Sequence, residues 1–402
     1  MPADAAAVRA LVADGASVAS AVATILEAVR SGGDEALRWY VEKFDATGAA
    51  PVLVEPQELE DARVALDPAV RAGLEVAIEN VGAVARAGLA ASQEITLPQG
   101  HTVTLRDVAV RRAAIYAPGG RNPYPSTVVM GAVTARAAGV EEVVVCAPGS
   151  HPVMLAACAL CGVDAVYRMG GAHAVAALAF GTETIPRVDV IAGPGALWVQ
   201  EAKRQVSGIV GLDGFFGPSD VLVLASDDAD PALVAADLRA QAEHGAGTLA
   251  VLCADDAALL GAVEPLLRDA PDTEAVAVTV LVDGPAAGLA FSEAFAPEHL
   301  ELVGETMEAL APDVRAAGCV FLGRAGATAF GDYVAGSNHS LPTGGAARYA
   351  SGLNVRHFRR RLSEVRVGEA APALAAAGAP LARAEGFPVH AASMEMRQDG
   401  AG

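Results

Sequence analysis

Lysine is almost missing from this chain, standing only at positions 43 and 203 among 402 residues. Lysine and arginine together number 28 against 48 aspartates and glutamates, a net charge of −20. No stretch gathers basic residues with interleaved aromatics, so the phosphate backbone of nucleic acid is repelled and a DNA- or RNA-binding role is disfavoured. Long apolar runs are missing too: none reaches the roughly 20 residues of a membrane span without a charge or a glycine. The N-terminus MPADAAAVRALVADG has neither a basic start nor a continuous apolar stretch, so neither membrane insertion nor a secretory leader is expected. Cysteine is scarce. The five cysteines, at 146, 158, 161, 253 and 319, lie in apolar stretches without the spacing of a secreted framework, which points to a reducing, cytoplasmic setting.

What the chain does have is apolar bulk: 53% hydrophobic residues supply core for two or three domains without disulfide staples. The first hundred residues carry apolar residues at helical spacing, in SVASAVATILEAVRSGGDEALRWYVEKFD and again in PQELEDARVALDPAVRAGLEVAIENVGAVARAGLAA. From residue 113 short β-rich runs (AAIYA, EEVVVCA, VDAVYRM, VDVIAG) alternate with alanine-rich helices. This is the rhythm of βαβ units and predicts a parallel sheet. A second alternating set, from DVLVLAS through TLAVLCA to AVAVTVLVD, predicts another. The expected fold is therefore α/β, with two Rossmann-like parallel-sheet domains. A helical segment spans 1–114, the first α/β domain 115–222, the second 223–354, and a tail 355–402.

Glycine-rich turns recur at YAPGGRNPYPS (116–126), MGGAHAV (169–175) and IAGPGALWV (191–199), each after a β run and before a helix. That position presents backbone N–H groups and a helix N-terminus to a phosphate, although none of the three is a G-x-G-x-x-G fingerprint and each also reads as a tight βα turn. Gln241 and His244 stand three apart at the end of the helix ALVAADLRAQAEHG, sharing one face. Such a pair suits two ligands of one metal or a solvated helix end. Glu298 and His299 adjoin in FSEAFAPEHLELV, where burial would tune both toward neutral acid–base work; the plain alternative is an acidic helix start. The segment FGDYVAGSNHSLPTGG lacks an apolar period yet gathers Asp332, Tyr333, Ser337, Asn338 and His339, the pattern of a functional loop. Cys158 and Cys161 form a lone C-x-x-C inside an apolar helix and read as core. His101, His151 and His357 have no partner pattern.

Taken together, YAPGGRNPYPSTVVM, GGAHAVAALAFGTETIPRVDVIAGPG, GPSD, LRAQAEHG, FAPEHLELV, GDYVAGSNHSLPTGGAARYASGL and AEGFPVH resemble histidinol dehydrogenase in content and order, from about residue 20 to 395. The resemblance implies one zinc ion held by Gln241, His244, Asp332 and His390, with His390 arriving from the partner subunit of an intertwined homodimer that exchanges its C-terminal tails. It implies that the zinc orients histidinol, with Ser219, His339 and Glu385 as further substrate contacts. His299 would take the alcohol proton while hydride leaves for NAD, and Glu298 would activate water for attack on the bound aldehyde. The helical N-terminal segment is expected to pack on the second α/β domain.

The chain departs from the family's pattern at three positions: His173 stands where glutamine is usual, Ala196 where asparagine is, and Asp220 where glutamate is. The first two belong, with Tyr116, to the expected NAD contacts. The competing readings are a paralogous zinc- and NAD-dependent dehydrogenase of another small polyfunctional alcohol, and a binding module that has lost turnover.

Overall fold

The computed structural model describes residues 2–12, 17–45, 51–119, 122–149, 151–215, 217–268 and 271–398. Gly120 and Arg121 of the first glycine-rich turn lie outside the described residues. Helices α1 (Pro2–Arg9), α2 (Ala19–Phe44), α3 (Pro56–Ala65) and α4 (Pro68–Ala87) lead the chain. The start of α4 follows from its sequence: Asp67 accepts from the Ala69 and Val70 amides, and Pro68 takes the first helical position, where its missing N–H costs nothing.

Strands β1 (Gln93–Thr96) and β2 (Thr102–Ala109) come next. Then β3 (Arg112–Tyr116), α5 (Pro125–Ala137), β4 (Glu142–Cys146), α6 (Pro152–Leu160), β5 (Ala165–Tyr167), α7 (Gly171–Phe180), β6 (Val190–Ala192), α8 (Leu197–Val206) and β7 (Gly211–Leu212) alternate. They build a parallel five-stranded sheet of order β5-β4-β3-β6-β7. The rhythm repeats through β8 (Asp220–Ala225), α9 (Pro231–Ala242), β9 (Leu249–Ala254), α10 (Ala257–Arg268), β10 (Val276–Leu281), α11 (Pro285–Phe295), β11 (His299–Val303), α12 (Glu305–Glu308) and β12 (Cys319–Leu322). This second parallel sheet has the matching order β10-β9-β8-β11-β12. The two α/β parts expected from the sequence are thus present, although the expected boundaries at 114/115 and 222/223 cut through β3 and β8. The short helix α13 (Thr328–Tyr333) follows.

An all-parallel sheet must bury both faces. On the first sheet, Ala113, Ile115, Val143 and Val145 pack with α5, α6 and residues Ala62, Leu74, Ala77 and Val81 of α3 and α4. The opposite face packs with α7, α8 and Val22, Leu26, Val29 and Leu37 of α2. The expectation that the N-terminal segment covers the second sheet is therefore corrected. Only α1 goes there, inserting Ala5 and Val8 beside Leu222, Leu300, Phe291 and Phe295. The reason is visible in α5 and α7, which are buried all round over Ser126–Ala135 and Ala172–Ala179. A helix apolar on every side needs a second helical layer over it, and α2 and α4 supply one.

By internal contacts the chain divides into two compact units, 1–88 with 110–358, and 89–109 with 359–402. The second unit holds an antiparallel sheet in which β1 and β13 (Arg359–Arg366) flank β2. This sheet replaces the expected helix before residue 114; its signal was the short two-residue alternation of TVTLR at the start of β2. Helices α14 (Ala371–Ala384) and α15 (Pro388–Glu395) complete the unit, pinned together by the Arg383–Glu395 ion pair at 2.7 Å and by buried Ala375, Ala379 and Ala391. The lone cysteine pair behaves as core: Cys158 is buried, and burial pushes the Cys161 thiol up to about 12.

Candidate active site

Strands β8 and β11 are neighbours in the second sheet, with His299 opposite Val221. Their amino ends therefore bring Ser219 and Asp220 beside Glu298 and His299. Glu298 Oε2 accepts from Ser219 Oγ at 2.6 Å and from the Asp220 amide at 3.0 Å. The Glu298 amide in turn donates to Asp220 Oδ1 at 2.7 Å. Each carboxylate thus takes the other residue's N–H, which holds the two strand ends in register. Glu298 and His299 are both buried, and β11 begins at His299 itself, so the pair opens a strand and not a helix.

The His299 ring lies with Nδ1 3.3 Å from the Asp220 carbonyl and 3.8 Å from Glu298 Oε2, and with Nε2 3.6 Å from Asp332 Oδ1. Asp332 sits on α13, whose first amide, Thr328 N–H, donates to buried Glu301 on β11 at 2.9 Å. The polar segment read as a loop thus begins as a short helix tied to the strand that carries His299. His339 donates through Nδ1 to the Asp332 carbonyl, 3.0 Å away, and its Nε2 lies 3.2 Å from Thr127 Oγ on α5. Asn338 reaches the same helix, donating to the Met130 carbonyl at 3.1 Å. This joins the loop of the second α/β part to a helix of the first.

Gln241 is buried in the last turn of α9, its Nε2 donating to Ser219 Oγ at 2.6 Å. His244 stands just past the helix end, where Nδ1 meets the Gln241 carbonyl at 2.9 Å. A carbonyl at Nδ1 selects the tautomer with the proton there and leaves Nε2 as the free donor atom. An amide oxygen, an imidazole Nε2 and the Asp332 carboxylate form a mixed N/O set that suits Zn²⁺. Among the described residues no three His, Cys, Asp or Glu side chains form a metal-holding group.

Burial pushes the Glu298 carboxyl up to about 7, with Asp220 adding to the rise while His299 and its hydrogen-bond donors oppose it. Burial disfavours a charged His299, but Glu298, Asp332 and the Asp220 carbonyl outweigh it and raise the imidazole to about 9. Burial likewise opposes the charge on Asp332, yet His299, His339 and His244 hold its carboxyl below the usual range. His339 is lowered by burial.

The three glycine-rich turns leave the carboxyl ends of β3, β5 and β6, the edge where parallel sheets of this type receive ligands. Tyr116 is buried, accepts from the Gly171 amide at 3.0 Å and has its phenol raised by burial. His173 is buried as well: Nε2 lies 2.9 Å from Asp45 Oδ2, which also accepts from the Gly170 amide at 3.1 Å, and the ring stacks on Tyr40. Both side chains therefore shape the turn at 169–171 from behind. Ala196 is exposed at the N-cap of α8.

Two residues of this region carried no motif. Lys203 Nζ contacts Asp213 Oδ1 at 2.5 Å and donates to the Gly193 carbonyl at 3.0 Å, while Asp213 Oδ2 accepts from the Gly193 amide at 2.6 Å. Neither side chain has solvent exposure. The pair clamps Gly193 at φ +124°, where a Cβ would come within 2.1 Å of the Tyr116 carbonyl. Its signal was one of the chain's two lysines falling on the apolar stripe Val199, Ala202, Val206 of α8. Glu385 and His390 lie in the second unit, both exposed, with His390 packed on Phe387 at 5.3 Å between ring centres.

A family description, histidinol dehydrogenase, matches residues 9–398. The histidinol dehydrogenase of Parasynechococcus marenigrum is 43% identical, over 94% of this chain and 90% of that protein. That of Streptomyces avermitilis is 42% identical over the same shares. The crystal structure of histidinol dehydrogenase from Elizabethkingia anophelis superposes with a TM-score of 0.92 at 30% identity, covering 96% of this chain and 94% of that one. Together with the paired strand ends that seat Glu298 and His299, these likenesses over nearly the full length show that this chain belongs to the histidinol dehydrogenase family, a family of oxidoreductases.

Proposed function

We propose that the chain oxidises L-histidinol through bound histidinal to L-histidine, the last step of histidine biosynthesis, passing two hydrides to two NAD molecules and using one zinc ion per site. The observation that carries this reading is the buried Glu298–His299 pair in the second α/β part, joined through Ser219 to Gln241 and set with His299 beside Asp332. Gln241, His244, Asp332 and His390 of the partner subunit would hold the zinc, in a cytoplasmic homodimer with shared sites. The relatives' names support the substrate, and the mixed N/O donor chemistry supports the metal. When bound, NAD supplies the hydride acceptor, and zinc supplies a cation that orients the substrate's imidazole and amino nitrogens and offsets the Asp332 charge that now raises His299.

His299 then removes the hydroxyl proton as hydride leaves the neighbouring carbon, giving the aldehyde. Glu298, held by Ser219 and the Asp220 amide, takes a proton from the water that attacks the aldehyde carbon. A second hydride leaves the resulting hydrate and the carboxylate forms. One histidinol, one water and two NAD⁺ thus give histidine, two NADH and three protons. Ser219, His339 and Glu385 are assigned to the substrate. Tyr116, His173 and Ala196 are assigned to the cofactor's turns, the first two through the backbone they support.

Chelation tests the metal assignment. Metal-free enzyme is expected to keep its circular-dichroism spectrum, because each α/β part has its own apolar core, yet to lose NADH formation from histidinol until zinc is restored. Full turnover by protein verified as metal-free would refute the ligand set.

A further inference from the structure

We propose that Arg9, at the end of α1, is a positioning residue for Glu298 and His299 that acts through Asp220; this rests on the function proposed above. Its guanidinium meets Asp220 Oδ2 through Nη1 at 3.0 Å. Nε and Nη2 donate to the Phe295 carbonyl at 2.9 and 2.5 Å, and Nη2 also reaches the Ala296 carbonyl at 3.2 Å. The cation lies 3.8 Å over the Phe295 ring. Ala5 and Val8 in the core anchor the helix that presents it.

These contacts grip both supports of the catalytic pair. Phe295 ends α11, and its carbonyl has no further turn to accept from. Ala296 follows in the left-handed region at φ +49°, where a residue with a Cβ is disfavoured. Proline 297 alone separates it from Glu298, so the direction in which the chain leaves Ala296 sets where Glu298 begins. On the other side, Asp220 accepts the Glu298 amide, gives its own amide to the Glu298 carboxyl, and turns its carbonyl toward His299. The Asp220 side chain is 2% exposed and that of Arg9 21%. Without the guanidinium, a buried carboxylate would stand unpaired within one hydrogen bond of the catalytic pair.

The test compares Arg9→Met, Arg9→Lys and the double variant Arg9→Met/Asp220→Asn. Arg9→Met should lower kcat with histidinol by about tenfold or more, with KM within about twofold, as befits a residue that touches no substrate. Arg9→Lys should recover only part, since an ammonium cannot span the carboxylate and two carbonyls at once. The double variant should exceed Arg9→Met by about threefold or more, because neutral Asp220 no longer needs a cation and still accepts the Glu298 amide. Hydrogen exchange across 295–300 should quicken about tenfold or more in Arg9→Met, from loss of that backbone's support.

A folded Arg9→Met with unaltered kcat and exchange overturns the proposal, even if its melting temperature falls. A double variant no better than the single shows that the effect does not run through Asp220 and also overturns it. Should Arg9→Met fail to fold, Arg9→Lys is judged by the same two readouts. A wild-type protein inactive on histidinol would sink the proposed function instead, and the exchange measurement would then decide the role of Arg9 alone.

Discussion

His299→Asn is expected to lose both oxidations, by about 10²- to 10⁴-fold, the usual worth of a positioned acid–base group, whereas Glu298→Gln should oxidise histidinol to the aldehyde and stall there. The division follows from position. His299 faces Asp332 on one side and the Asp220 carbonyl on the other, which fixes both ring nitrogens. Glu298 points its carboxyl back onto Ser219 and the Asp220 amide, and under the proposed function it serves the attacking water and not the substrate's hydroxyl. A glutamine there keeps an acceptor oxygen but no basic one. Supplying histidinol and histidinal separately checks the split: a Glu298→Gln enzyme that oxidised histidinal at the normal rate would contradict it. A pH dependence goes with it. Glu298 serves as a base only when deprotonated, so with its carboxyl raised to about 7 the aldehyde step should slow as pH falls through 7. In Glu298→Gln that acid limb should vanish.

The second large effect concerns the C-terminal unit. His390→Ala should be inactive if His390 completes the zinc site of a partner subunit. Mixed with inactive His299→Asn chains under conditions that exchange subunits, it should regain activity. One site of the heterodimer joins the intact first unit of the His390→Ala chain to the intact tail of the other. The reciprocal site lacks both residues, so the mixed dimer should approach half of wild-type activity if its sites act independently. Heterodimers shown to form yet inactive would place His390 in its own chain's site or away from the metal.

Much of this arrangement was legible in the sequence because it is local. The two βα rhythms and the helix that ends near Gln241 and His244 follow from short-range pattern, whereas the burial of Gln241 and the strand that begins at His299 stood against a solvated helix end and a helix start that the sequence left open. The layering of α2 and α4 on the first sheet was less plain, since it depends on α5 and α7 being apolar all round and not on the N-terminal helices themselves. The antiparallel pairing of β2 with β13 joins residues about 250 apart in sequence, and no local period announces such a partner. The same distance hid Arg9, whose contacts with Asp220 and Phe295 bridge 211 and 286 residues. Lys203 left a trace, a charge on an apolar stripe, but its carboxylate partner did not. His173, assigned to the cofactor by likeness, is seated against Asp45 and Tyr40, a pairing that no local pattern announced.

The stoichiometry of hydride transfer tests the central claim most directly. Limiting L-histidinol, incubated with the zinc-loaded protein and excess NAD until absorbance is constant, should yield two NADH per substrate and an equal amount of histidine, with no free aldehyde captured by a carbonyl reagent. One NADH per substrate with aldehyde released, or none at all, would contradict the account.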